Sequence, residues 1–170
     1  GKYAGLVLTL AVNLAVMTVA LYLVLGYLSW IETPEFKASW EAPGPDPALL
    51  TAIFLIFVEL MLVTAIALFF STFSSPILSA VLTFGLYIAG NFNADLKNFE
   101  QVVESKVAAW LARGLYYVLP DLSAFDVKTL VVHGFPVEPG YVAATTAYGL
   151  LYITALLLVS TYIFTRRDFK

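Results

Sequence analysis

From Ala4 to Ile31 the chain reads AGLVLTLAVNLAVMTVALYLVLGYLSWI, with no charged side chain and with Asn13 as its most polar member. No other feature limits the fold as much. A helix rises about 1.5 Å per residue, so roughly 20 apolar residues cross a hydrocarbon core of about 30 Å. Similar runs recur at Ala48 to Phe70, broken only by Glu59, at Pro76 to Phe92, and at Tyr141 to Phe164. The third is shorter, roughly 25 Å at the same rise. In lipid every backbone N–H and C=O needs an internal partner, which uninterrupted runs supply only as helices. A barrel would need short segments of alternating polarity, and these do not alternate.

Composition agrees. Of 170 residues, 61% are hydrophobic and 12% charged, against about 45–50% and 25% in soluble domains. The chain is therefore expected to be an all-α, polytopic membrane protein. One transmembrane domain over residues 1–170 would hold about four membrane helices (4–31, 48–70, 76–92 and 141–164) and an extracytoplasmic amphipathic segment over 93–140. Membrane lipid is the first expected partner. The net charge of −3 offers no basic patch for nucleic acid. There is no cysteine, which excludes disulfides, thiolate metal sites and cysteine nucleophiles. Gly1 reads as an internal position: the first run is too long for the apolar core of a signal peptide, so further membrane segments are expected upstream.

Lys and Arg near the helix ends set orientation. Arg166, Arg167 and Lys170 directly follow the last run, which places the C-terminus in the cytoplasm. Counting back through four spans puts Lys2 on the same side. The loop 32–47, where Glu32, Glu35, Glu41 and Asp46 outnumber Lys37, then lies outside, with Tyr27, Trp30 and Trp40 as an interfacial belt. The short connector 71–75 lies inside. In the outer segment Asn93 suits an N-cap and Asp95 the first turn. Leu96, Phe99, Val103, Val107, Trp110 and Leu111 recur at helical spacing opposite Lys97, Glu100 and Glu104. Such a helix lies along or dips into the outer surface, or caps the outer helix ends.

Glu59 is the one ionisable side chain well inside a span. A carboxylate there costs about 2.5–3.5 kcal/mol on insertion scales, so it needs a partner, a wet cavity or a proton. It lines a subunit interface or substrate path, or it clamps two helices, with Asn13 or Thr18 as the expected partner. Asn13 and Asn91 are the other intramembrane polar candidates. The lone His133 cannot build a zinc or haem site without cysteines, and no metal site is expected. No GxSxG elbow and no GxxxxGK[ST] loop is present. No catalytic residue and no resident cofactor is therefore expected, which leaves a membrane-embedded enzyme such as an intramembrane protease poorly supported.

The order of several motifs resembles one family. GKYAGLVLTLAVNLAVM resembles the start of a membrane helix in exporter-class (type 2) ABC transporter permeases. VELMLVTAIALFFSTFSSPILSAVLTFGLYIAG, Val58 to Gly90, looks like that family's glutamate-bearing helix, Ser-rich cytoplasmic turn and following helix. YYVLPDLSAFDVK and the terminal IFTRRDFK are similar to the branch related to the copper-enzyme maturation permeases. The resemblance implies a multi-pass permease subunit of the cell inner membrane with about six helices, of which this chain holds the last four. It implies pairing with a second permease copy and export driven by separate ABC ATPase subunits, which use ATP and Mg. Lys2, Ser71, Thr72, Ser74 and Ser75 match positions of ATPase contact, and the outer segment matches the family's re-entrant region. Copper handling does not carry over to a chain with no Cys, two Met and one His. The alternative is an ATP-independent carrier or channel using Glu59.

Overall fold

The computed structural model describes residues 1–38, 44–91 and 119–167. The chain is an all-α membrane protein. Helix α1 spans Lys2–Ile31, α2 Pro34–Lys37, α3 Ala48–Ser71 and α4 Pro76–Asn91. After the undescribed stretch come a 3₁₀ turn at Ser123–Phe125, α5 at Lys128–Val132 and α6 at Pro139–Arg167. Among the described residues, α1, α3 and α6 are the three helices long and apolar enough to cross a membrane. Helix α4, with 16 residues, covers about 24 Å, so the expected third span is the short one. The amphipathic pattern from Asn93 to Leu111 and the belt residue Trp40 lie outside the described residues.

Helix ends follow local chemistry. Asp46 Oδ1 accepts the Ala48 N–H at 2.8 Å and Pro47 follows it, an N-cap with proline at the first position. Ser75 and Pro76 repeat the arrangement before α4, where Ser75 Oγ accepts the Leu78 N–H at 3.4 Å. Helix α5 stops in a Schellman motif: Phe135 N donates to Leu130 O at 2.9 Å and Gly134 N to Val131 O at 3.1 Å. Gly134 takes φ 73°, a conformation that disfavours a Cβ.

Contacts divide the chain into two units, residues 1–61 with 125–150 and residues 62–124 with 151–170. In the first, two tyrosines tie α1 to α3 in antiparallel order. Tyr3 Oη donates to Met61 O at 3.0 Å and Tyr22 Oη to Asp46 O at 2.6 Å. Between them Leu14, Thr18, Phe54 and Phe57 line an apolar groove of about 380 Å³. Ala52, Leu55, Val58 and Glu59 form the buried stripe of this part of α3, at the three- and four-residue spacing of one helix face. Helix α6 approaches closely at Gly149, where an added Cβ would lie 2.9 Å from Val58 Cγ1 and 3.0 Å from Phe125 Cζ.

In the second unit, α3 and α4 form a hairpin. Ser79 is buried and its Oγ donates to Ala67 O at 3.1 Å. Phe69, Phe70 and Phe73 pack edge to face or tilted around the turn. Gly90 carries the other close approach, because a Cβ there would meet Leu122 Cγ at 2.8 Å and Pro120 O at 2.9 Å. The Leu122 N–H donates to Gly90 O at 3.1 Å.

Candidate functional site

Glu59 lies near the middle of α3, 7% exposed. A second group of buried side chains comes from outside the long apolar runs. Phe125, Val127 and Val131 are 0%, 2% and 1% exposed and belong to the stretch just before α6. Local polar bonds fold that stretch. Asp121 Oδ1 accepts both the Ser123 N–H at 3.1 Å and its hydroxyl at 2.6 Å. Asp126 Oδ1 accepts the Lys128 N–H at 3.2 Å. Each is an Asx-type turn, in which a short acidic side chain stands in for a backbone acceptor. The turns leave Leu122, Phe125 and Val127 pointing inward.

The same folding brings charge to Glu59. Asp126 and Lys128 are the charged groups whose fields act on it. Lys128 Nζ stands 3.5 Å from Asp126 Oδ1, with both side chains about half exposed. So exposed a pair contributes little to stability. Among the described residues Glu59 has no hydrogen-bond partner.

The expected partners of Glu59 are engaged elsewhere. Asn13 is exposed on α1, and its Nδ2 donates to Thr9 O at 3.0 Å. Thr18 Oγ1 donates to Leu14 O at 2.7 Å. Both satisfy their own helix, as short polar side chains on a helix surface commonly do, so neither clamps Glu59. Asn91 ends α4, with Nδ2 donating to Tyr87 O at 2.9 Å. The structure therefore does not gather Glu59, Asn13 and Asn91 at one site.

The residues of the expected ATPase contact occupy two places. Lys2 is exposed at the start of α1. Ser71, Thr72 and Ser74 donate their hydroxyls to Leu68 O, Phe69 O and Phe70 O at 2.7–2.8 Å, and Phe69 O and Phe70 O also accept backbone N–H bonds from the turn. Ser71 and Ser75 remain exposed. His133 is also exposed, with Nδ1 2.7 Å from Thr129 O at the end of α5. Among the described residues no three His, Asp or Glu side chains group as metal donors.

Asp126 and Lys128 are the functional candidates that sequence reasoning missed. Their signal was weak but present. Leu122, Phe125, Val127 and Val131 are apolar residues recurring between Asp121, Asp126 and Lys128, a pattern of inward side chains on an irregular backbone. Compared with known proteins, the chain matches no family model, no curated protein and no solved structure.

Proposed function

We propose that this chain is the membrane-spanning permease subunit of an ABC export system. In this reading it pairs with a second permease copy and forms the substrate path with it. Separate ATPase subunits bind and hydrolyse ATP with Mg, and the chain has no enzymatic activity of its own. It sits in the cell membrane with its C-terminus, Lys2 and the α3–α4 turn facing the cytoplasm.

The α3–α4 hairpin is the observation that carries the proposal. Two apolar helices are joined by a short turn with Ser71 and Ser75 exposed, and the Ser79–Ala67 bond locks them together. In this reading the turn is where an ATPase subunit presses on the permease. Further support comes from the motifs of Val58 to Gly90 and Tyr116 to Lys128, which stand in the order of the family they resemble.

The test is purification of the full-length protein from its native membrane, followed by reconstitution. A P-loop ATPase is expected to co-purify. Ser71→Trp and Ser75→Trp should leave ATP hydrolysis intact while transport falls to background. Recovery of the permease with no ATPase would sink the proposal. A second reading, an ATP-independent carrier or channel, is favoured by the buried carboxylate of Glu59. It predicts that Glu59→Gln abolishes ion flux in vesicles containing no ATPase, and unchanged flux rejects it.

A further inference from the structure

The Gly149 contact fixes how deep Phe125 sits. Val58 lies about 15 Å along α3 from its start, and Gly149 about 15 Å along α6 from Pro139, at the helical rise. Val58 Cγ1 and the Phe125 ring both pack on Gly149, at 2.9 and 3.0 Å from where its Cβ would stand. In a hydrocarbon core of about 30 Å that point is near the middle. Non-helical backbone survives at such depth only where it is buried in protein or lines a water-filled cavity.

Asp126 and Val127 link the 3₁₀ turn to α5, and of residues 125–128 only two side chains are buried in protein. Phe125 and Val127 turn inward and are almost fully buried. The side chains of Asp126 and Lys128, alternating with them, are 45% and 56% exposed. A half-exposed carboxylate and ammonium are not stable against acyl chains, and one contact at 3.5 Å does not replace their water. Glu59, buried and without a described hydrogen-bond partner, directly follows Val58, which meets Gly149 at the same place as the Phe125 ring beside Asp126.

We propose that the face bearing Asp126 and Lys128 lines a water-filled crevice that enters the membrane domain and ends at Glu59. An exposed carboxylate and ammonium leading to a buried carboxyl suit it to water and small hydrated ions. The crevice needs no ATPase, so its test stands apart from that of the export proposal.

The natural absence of cysteine makes single-cysteine labelling the direct experiment. Asp126→Cys and Lys128→Cys in the full chain, reconstituted in lipid vesicles, would be treated on both faces with a membrane-impermeant cationic methanethiosulfonate. The thiolate forms a mixed disulfide and releases sulfinate. Glu35→Cys, exposed on α2, gives the rate in water. Leu8→Cys and Val16→Cys, 66% and 64% exposed on α1, give the rate in lipid. Cysteines at 126 and 128 should react more than about tenfold faster than those on α1, because the reaction needs an ionised, hydrated thiol. Glu59→Cys should react while Leu55→Cys, 0% exposed on the same helix, stays silent. Rates at 126 and 128 as slow as at Leu8 and Val16 would overturn the crevice. So would disulfide cross-linking of two copies through either position, which would make this face a contact between copies. A folded but unreactive Glu59→Cys would overturn its reach to Glu59. Should Glu59→Cys fail to fold, the two surface positions still decide whether the crevice exists.

Discussion

The most apolar window of α1 has a mean hydropathy of 2.3 and that of α3 has 2.8, yet 0% of the first is buried against 33% of the second. Neither length nor apolar content separates the two helices. In water both would be driven inward. In lipid the acyl chains are as apolar as leucine, so burial depends on shape and on polar bonds. Helix α3 has both: a stripe of Ala52, Leu55, Val58, Glu59, Leu62, Ala65 and Ile66, and neighbours narrow enough at Gly149 to reach it. Helix α1 is joined to α3 by two tyrosine hydroxyls and a groove. Most of its leucines and valines are left exposed.

Truncation should show the largest contrast. Leu55→Ala or Leu62→Ala, at positions 0% exposed, should cost about 2–4 kcal/mol through lost packing. Leu8→Ala and Leu23→Ala, 66% and 69% exposed on α1, should fall within about 0.5 kcal/mol of the parent. Unfolding measured in mixed micelles or bicelles checks both. Equal losses in the two helices would mean that α1 is covered by a neighbour.

A smaller effect comes from adding one methyl. Gly149→Ala forces a Cβ to within 2.9 Å of Val58 Cγ1 and should cost about 1–3 kcal/mol by overpacking. Gly26→Ala on α1 meets nothing within 4 Å and should be neutral or slightly stabilising, since alanine is the better helix former. The difference in melting temperature between the two variants is the measurement. Parity would place Phe125 elsewhere than against Gly149.

The smallest expected change is loss of one tyrosine hydroxyl. Tyr22→Phe removes the 2.6 Å bond to Asp46 O and should cost about 1 kcal/mol. The exposed Tyr27→Phe should cost nothing measurable. If Tyr22→Phe is equally silent, the attachment of α1 to α3 rests on packing along the groove rather than on its polar ties.

Much of the architecture could be read from the residues because the constraints were local. Runs without charge fix helices wherever the backbone has no water to bond, and Asp46-Pro47 and Ser75-Pro76 mark where two of them begin. Glu59 stood out for the same reason, as a charge in the wrong solvent. Its surroundings could not be read. Asn13 and Thr18 looked like partners on spacing along α1, but each closes a bond to its own helix instead. Asp126 and Lys128, far away in sequence, are placed by a turn whose register depends on two Asx bonds and on Phe125 finding the space beside Gly149.

The sequence by itself therefore determined that the chain is helical and membrane-embedded, because both follow from the cost of unpaired backbone and of charge in hydrocarbon. Only the tertiary structure decided which apolar residues are core and which stay exposed. Among equally apolar helices the solvent expresses no preference. Close approaches at Gly90 and Gly149, and an irregular segment that fills the space beside α3, settle which side chains are buried.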